Sequence, residues 1–169
     1  MIYEPNDDSF LLQKQIKDYA KGFVLDMGTG SGIQAEEAIK YADKVLAVDI
    51  NKKAIRKHEQ IEFRQSNLFS NIKESFDLII FNPPYLPSCA NCPDIALDGG
   101  KEGYELIEKF LKQAKKHLNK DGIILLLFSS FSKKEKINKI LERERYCYKE
   151  IAKQHIHFED LYVYEVKQQ

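Results

Sequence analysis

The stretch FDLIIFNPPY, residues 76–85, decides the fold. From Phe76 to Phe81 it is apolar except for Asp77, the pattern of a strand buried on both faces of a parallel sheet. Two prolines then end it, because neither can donate to a sheet ladder. Asn82 and Tyr85 are thereby fixed at a rigid corner just past the strand.

Working outward, FVLDMGTGSG (23–32), KVLAVDIN (44–51) and IEFRQSNLF (61–69) read as three earlier strands, and IILLLF (123–128) as a fifth. The tail YCYKEIAKQHIHFEDLYVYEV (146–166) reads as two strands joined by a short turn. Leu12, Ile16, Tyr19 and Ala20 mark an opening helix with Asp7, Asp8 or Ser9 as its N-cap. Helical segments are expected between the strands. One carries Ala35, Ala38, Ile39 and Ala42, and a longer one carries Tyr104, Ile107, Leu111, Ala114 and Leu118 and is stopped by NKDG at Gly122. The expectation is an α/β fold, a mostly parallel sheet with an antiparallel C-terminal hairpin and helices on both faces. One domain over 1–169 is expected, with 1–22 as a helical lead-in.

Composition narrows the function. Charged residues make up 31% and hydrophobic ones 43%, which excludes a disordered or fibrous chain. No apolar run approaches the ~20 residues of a membrane span and the N-terminus is acidic, so a cytoplasmic location without membrane attachment is expected. The net charge of zero argues against a nucleic-acid partner. Cys89 and Cys92 have zinc-ligand spacing, but no second CxxC completes four ligands, and no metal is expected. The four histidines lack an acid–base constellation.

In open parallel sheets ligands collect beyond the carboxyl ends of the strands. Asp26, Gly28, Gly30, Gly32, Asp49, Asn67 and Asn82 all fall there. The glycines allow a tight turn and close backbone approach. Their spacing misses the dinucleotide fingerprint, since Ile33 stands where its third glycine belongs, and Asp26 suits a positively charged ligand better than a pyrophosphate. Asp49, 23 positions after Asp26, can accept from both hydroxyls of a ribose, although a turn and a helix cap would also account for these residues.

DMGTGSG with Asp49 resembles the cofactor motifs of the seven-stranded class I methyltransferases, a Rossmann-like fold using S-adenosylmethionine. The resemblance implies Asp26 and Gly28 against the methionine part and Asp49 on the ribose. It also implies a cofactor contact after the third strand. Here that position is Asn67, followed by Leu68, and lacks the usual acid's charge.

The corner suits a planar NH₂ nitrogen, whose delocalised lone pair reacts poorly. The Asn82 carbonyl can accept one of its hydrogens and the Pro83 main-chain carbonyl the other, while Tyr85 stacks on the planar group. Positioning alone can supply ~7–11 kcal/mol of a barrier, so no acid–base pair is required. On this reading a carboxylate at position 82 would still accept. The motif leaves adenine N6, guanine N2 and a glutamine amide open.

YEPNDDSFLL (3–12), NPPY (82–85) and ALDGGKEGYELIEKF (96–110) occur in the order seen in HemK-like glutamine methyltransferases, and the chain resembles their short archaeal and eukaryotic branch. That resemblance implies N5-methylation of the glutamine in the Gly-Gly-Gln motif of a class-I translation release factor. Ser9 would lie near the cofactor, and Asn82, Pro83, Pro84 and Tyr85 would form the amide site. A small zinc-binding activator subunit is the implied partner. The competing readings are a DNA or RNA amino-group methyltransferase and a non-enzymatic cofactor-binding subunit.

Overall fold

The computed structural model describes residues 3–85 and 99–169; Cys89 and Cys92 lie outside the described residues. Seven strands, β1 (Phe23–Met27), β2 (Lys44–Asp49), β3 (Ile61–Gln65), β4 (Phe76–Phe81), β5 (Leu118–Ser129), β6 (Tyr146–Ile156) and β7 (Glu159–Gln168), form one sheet in the order β3-β2-β1-β4-β5-β7-β6. The first five are parallel, and β7 runs antiparallel to both β5 and β6. The expected mixed sheet and C-terminal hairpin are both present.

The β4 sequence explains the two-sided core. Ile79 and Phe81 point into one apolar cluster, with α3 (Glu105–Ala114) and α4 (Lys134–Arg143), while Leu78 and Ile80 point into the other, with α1 (Asp7–Ile16) and α2 (Ile33–Ala38). The Phe81 ring lies 4.3 Å from that of Phe110 in α3. Burying one such ring stabilises the fold by about 1.5–3 kcal/mol.

Four sequence expectations need correction. The helix expected to reach Leu118 stops at Ala114, and after a 3-10 turn over Lys115–His117 the chain is already in β5. Asp121, at φ 63°, and Gly122 make a bulge there rather than a helix stop, because the register jumps from Phe76↔Leu118 to Leu78↔Ile123. The N-cap of α1 is Asn6, whose side chain accepts from the Asp7 amide, which releases Asp8 for another role. Between β2 and β3 only a 3-10 turn over Lys52–Ala54 forms where a helix was expected.

Among the described residues no helix is long and apolar enough to cross a membrane, and no group of His, Cys, Asp or Glu side chains could hold a metal ion.

Candidate active site

Met27 and Phe81 are register partners, so the chain leaves the sheet at Gly28 and Asn82 from adjacent strand ends. This is also where the strand order reverses, β1 leading to one edge of the sheet and β4 to the other. Such a switch point opens a crevice.

The glycine loop lines one wall. Gly28, Gly30 and Gly32 have φ of 66°, 50° and 89°, the left-handed region that disfavours side chains. A Cβ at Gly32 would also lie 2.0 Å from the Arg56 guanidinium, which is paired with Glu36 at 2.8 Å. Asp49 is pinned from the loop, accepting from Gly30 N at 2.9 Å and Asn51 N at 2.7 Å. Each carboxylate oxygen retains a lone pair for a ligand hydroxyl. Beside it Ile50 is 49% exposed, an apolar surface at the mouth of the crevice.

Asp26 is buried and accepts from Thr29 Oγ1 at 2.5 Å and Ala35 N at 3.1 Å. Burial pushes its carboxyl up to about 7, with the Asp49 charge adding to the shift and the two hydrogen bonds opposing it. A buried carboxyl beside a loop with glycine at every second position fits the cationic methionine end of S-adenosylmethionine. Asn67 sits exposed past β3, on the Asp49 side, in a turn made by Leu68 at φ 48°. Its main-chain N–H donates to Ser70 Oγ at 3.1 Å, and Leu68 itself is buried.

The other wall is the corner after β4. Asn82 Nδ2 donates to Asp8 Oδ2 at 3.2 Å, and the same oxygen accepts from Tyr3 OH at 3.0 Å and, at the long distance of 3.5 Å, from Tyr85 OH. Asp8 Oδ1 accepts from Ser9 N at 2.5 Å and Ser9 Oγ at 3.1 Å. A carboxylate accepts only, so Asp8 fixes which way the Asn82 amide faces. Asn82 Oδ1 is left buried with no donor among the described residues. A buried orphan acceptor costs about 1–3 kcal/mol, which marks a site kept ready for an incoming N–H. Burial, and then the Asp8 charge, hold the Tyr3 and Tyr85 phenols well above their ordinary range, so both remain donors.

Pro83 is buried, and Pro84 and Tyr85 partly so. The segment that begins at Gly99 braces them: a Cβ at Gly99 would come within 2.8 Å of Pro84 O and 2.9 Å of Tyr85 Cα. Ser132 Oγ donates to Tyr85 O at 3.3 Å. His117 stacks on Phe69 and His155 pairs with Asp160 at the surface, and neither touches the corner.

Sequence reasoning placed Asp8 only as a possible cap and gave Tyr3 no role. The one available signal was their place in YEPNDDS, next to Ser9. The structure also revises the reading of position 82, because a carboxylate there would face Asp8.

The model of the methyltransferase small domain matches residues 5–158. The chain belongs to this methyltransferase family. A Methanocaldococcus jannaschii protein named as a protein N5-glutamine methyltransferase is 38% identical over 154 residues, covering 82% of this chain and 78% of that one. A release factor glutamine methyltransferase of Koribacter versatilis is 36% identical over 125 residues, 61% of this chain but only 45% of that protein's length. The solved complex of E. cuniculi Mtq2 with Trm112, described as responsible for methylation of the eRF1 translation termination factor, matches with a TM-score of 0.85 at 26% identity over 99% of both chains. Further solved structures of this fold contain S-adenosylhomocysteine, the demethylated cofactor. This chain is therefore a class I, S-adenosylmethionine-dependent methyltransferase.

Proposed function

We propose that the protein methylates the N5 nitrogen of a glutamine side chain, the one in the Gly-Gly-Gln motif of a class-I translation release factor. The observation that carries this reading is the buried carbonyl of Asn82, turned away from Asp8 and without a donor among the described residues. It matches one N–H of a primary amide, and the Pro83 carbonyl is the second acceptor. The kinship with glutamine methyltransferases supports an amide over a nucleobase.

S-adenosylmethionine, held by Asp26, the glycine loop and Asp49, with Ser9, Asn67 and Leu68 as further contacts, supplies an electrophilic methyl on a sulfonium. Asn82 and Pro83 orient the amide nitrogen toward it and favour the positive charge that grows on that nitrogen, while Tyr85 holds the amide plane. The nitrogen exchanges one proton for the methyl group, and that proton leaves to water. The likeness to the Mtq2–Trm112 complex supports a partner subunit for this chain, which the family resemblance makes a small zinc-binding one.

The test is peptide mass analysis after incubation with S-adenosylmethionine and a cognate release factor, with and without such a subunit. One methyl on the Gly-Gly-Gln peptide is the expected result. No gain under either condition, with cofactor binding established separately, would move the reading to a nucleic-acid amino group or an inactive subunit.

A further inference from the structure

We infer that Gln34 is a positioning residue, tying the helix behind the glycine loop to the carboxylate that orients Asn82. Its kinetic consequence rests on the amide-methylation reading above; its structural consequence does not.

Gln34 is 4% exposed in the first turn of α2, whose other buried residues are Ala35 and Ala38. Packing alone gives no reason for an amide there. A methionine of similar length would fill the space without polar atoms to satisfy, whereas Gln34 Oε1 has no partner among the described residues. What the amide does provide is one donor: Nε2 reaches Ser9 O in α1 at 2.9 Å.

The neighbouring residue makes the complementary contact, since Ala35 N donates to Asp26 Oδ2 at 3.1 Å. Two consecutive residues of one helical turn thus hold the cofactor-side carboxylate and the Ser9 main chain. From Ser9 the path continues through its N–H and hydroxyl to Asp8 Oδ1, and from Asp8 Oδ2 to Asn82 Nδ2. Each link is a hydrogen bond between buried or part-buried groups, where water competes poorly. Any shift of the α2 turn as Asp26 engages its ligand is carried to the Asn82 amide.

The test compares Gln34→Met and Gln34→Glu with the wild-type protein. In Gln34→Met, kcat for methyl transfer should fall about tenfold with the cofactor KM little changed, and the Asn82 side-chain NH₂, followed by 15N NMR, should exchange with solvent about tenfold faster. Gln34→Glu can donate to Ser9 O only when protonated. Its kcat relative to wild type should therefore rise as pH falls from about 8.5 to about 6, a trend absent from Gln34→Met. Combined with Asp8→Asn, the loss from Gln34→Met should be much less than additive. Wild-type kcat and wild-type Asn82 exchange in Gln34→Met, or a loss confined to cofactor KM, would overturn the inference. A wild-type protein that leaves glutamine unmethylated would overturn the amide reading instead, and Asn82 exchange would still decide the role of Gln34.

Discussion

The two walls of the crevice are finished differently. At the ends of β1 and β2 the carboxylates already hold backbone donors, Asp26 from Ala35 and Asp49 from Gly30 and Asn51. At the end of β4 the Asn82 carbonyl has no donor among the described residues, although its amide is fixed by Asp8. The first wall is rigid before any ligand arrives and offers negative charge to a cation. The second stores an unsatisfied acceptor whose partner must come from the substrate.

Removing that acceptor should therefore produce the largest effect. Asn82→Ala is expected to lower kcat by about 10²–10³-fold while calorimetric affinity for S-adenosylmethionine stays within about twofold. Equal losses in both would erase the distinction between the walls. Asp8→Asn comes next. With a neutral amide opposite, Asn82 loses its imposed orientation, and kcat should fall about tenfold to a hundredfold, the range expected for one charge-assisted hydrogen bond.

Asp26 sharpens the contrast from the other wall. Its carboxyl sits near 7 in the folded protein, above its ordinary value of 3.8. The folded state thus holds a proton that the unfolded chain has lost, so Asp26's stabilising contribution is complete below about 4 and disappears as pH rises through about 7. A cationic ligand reverses the preference by favouring the charged form. Cofactor affinity should weaken by up to about tenfold per pH unit below 7, and Asp26→Asn should flatten that dependence, as titration calorimetry would record. A slope that survives in Asp26→Asn would assign it to another group. The smallest effect is expected from Gly99→Ala, which crowds Pro84 and Tyr85. Overpacking by one methyl against main-chain atoms should lower stability by about 1–3 kcal/mol, a melting shift of several degrees, and kcat a few-fold.

The strands and the glycine loop were legible because their signals are local. Apolar runs such as LIIF and the spacing of Gly28, Gly30 and Gly32 need no knowledge of distant chain. The α3 boundary is not legible because helical spacing through Leu118 runs into a strand that starts at Leu118 and is irregular at Asp121 and Gly122. The orientation of Asn82 was not legible at all. It depends on a contact between residues 74 positions apart, and in the sequence Asp8 is one acid among several that could cap a helix. Gln34 was hidden for a similar reason, its partner Ser9 being 25 positions away on another helix.

The most direct test of the account exchanges the two groups that meet at the corner, by measuring kcat for glutamine methylation in Asn82→Asp, Asp8→Asn and the double variant. In Asn82→Asp two carboxylates face each other, and activity should drop at least tenfold. The double variant restores one donor and one acceptor with their places reversed, and should recover to within about tenfold of wild type. A double variant no more active than the weaker single one would contradict the claim that Asp8 acts by turning the Asn82 carbonyl toward the substrate.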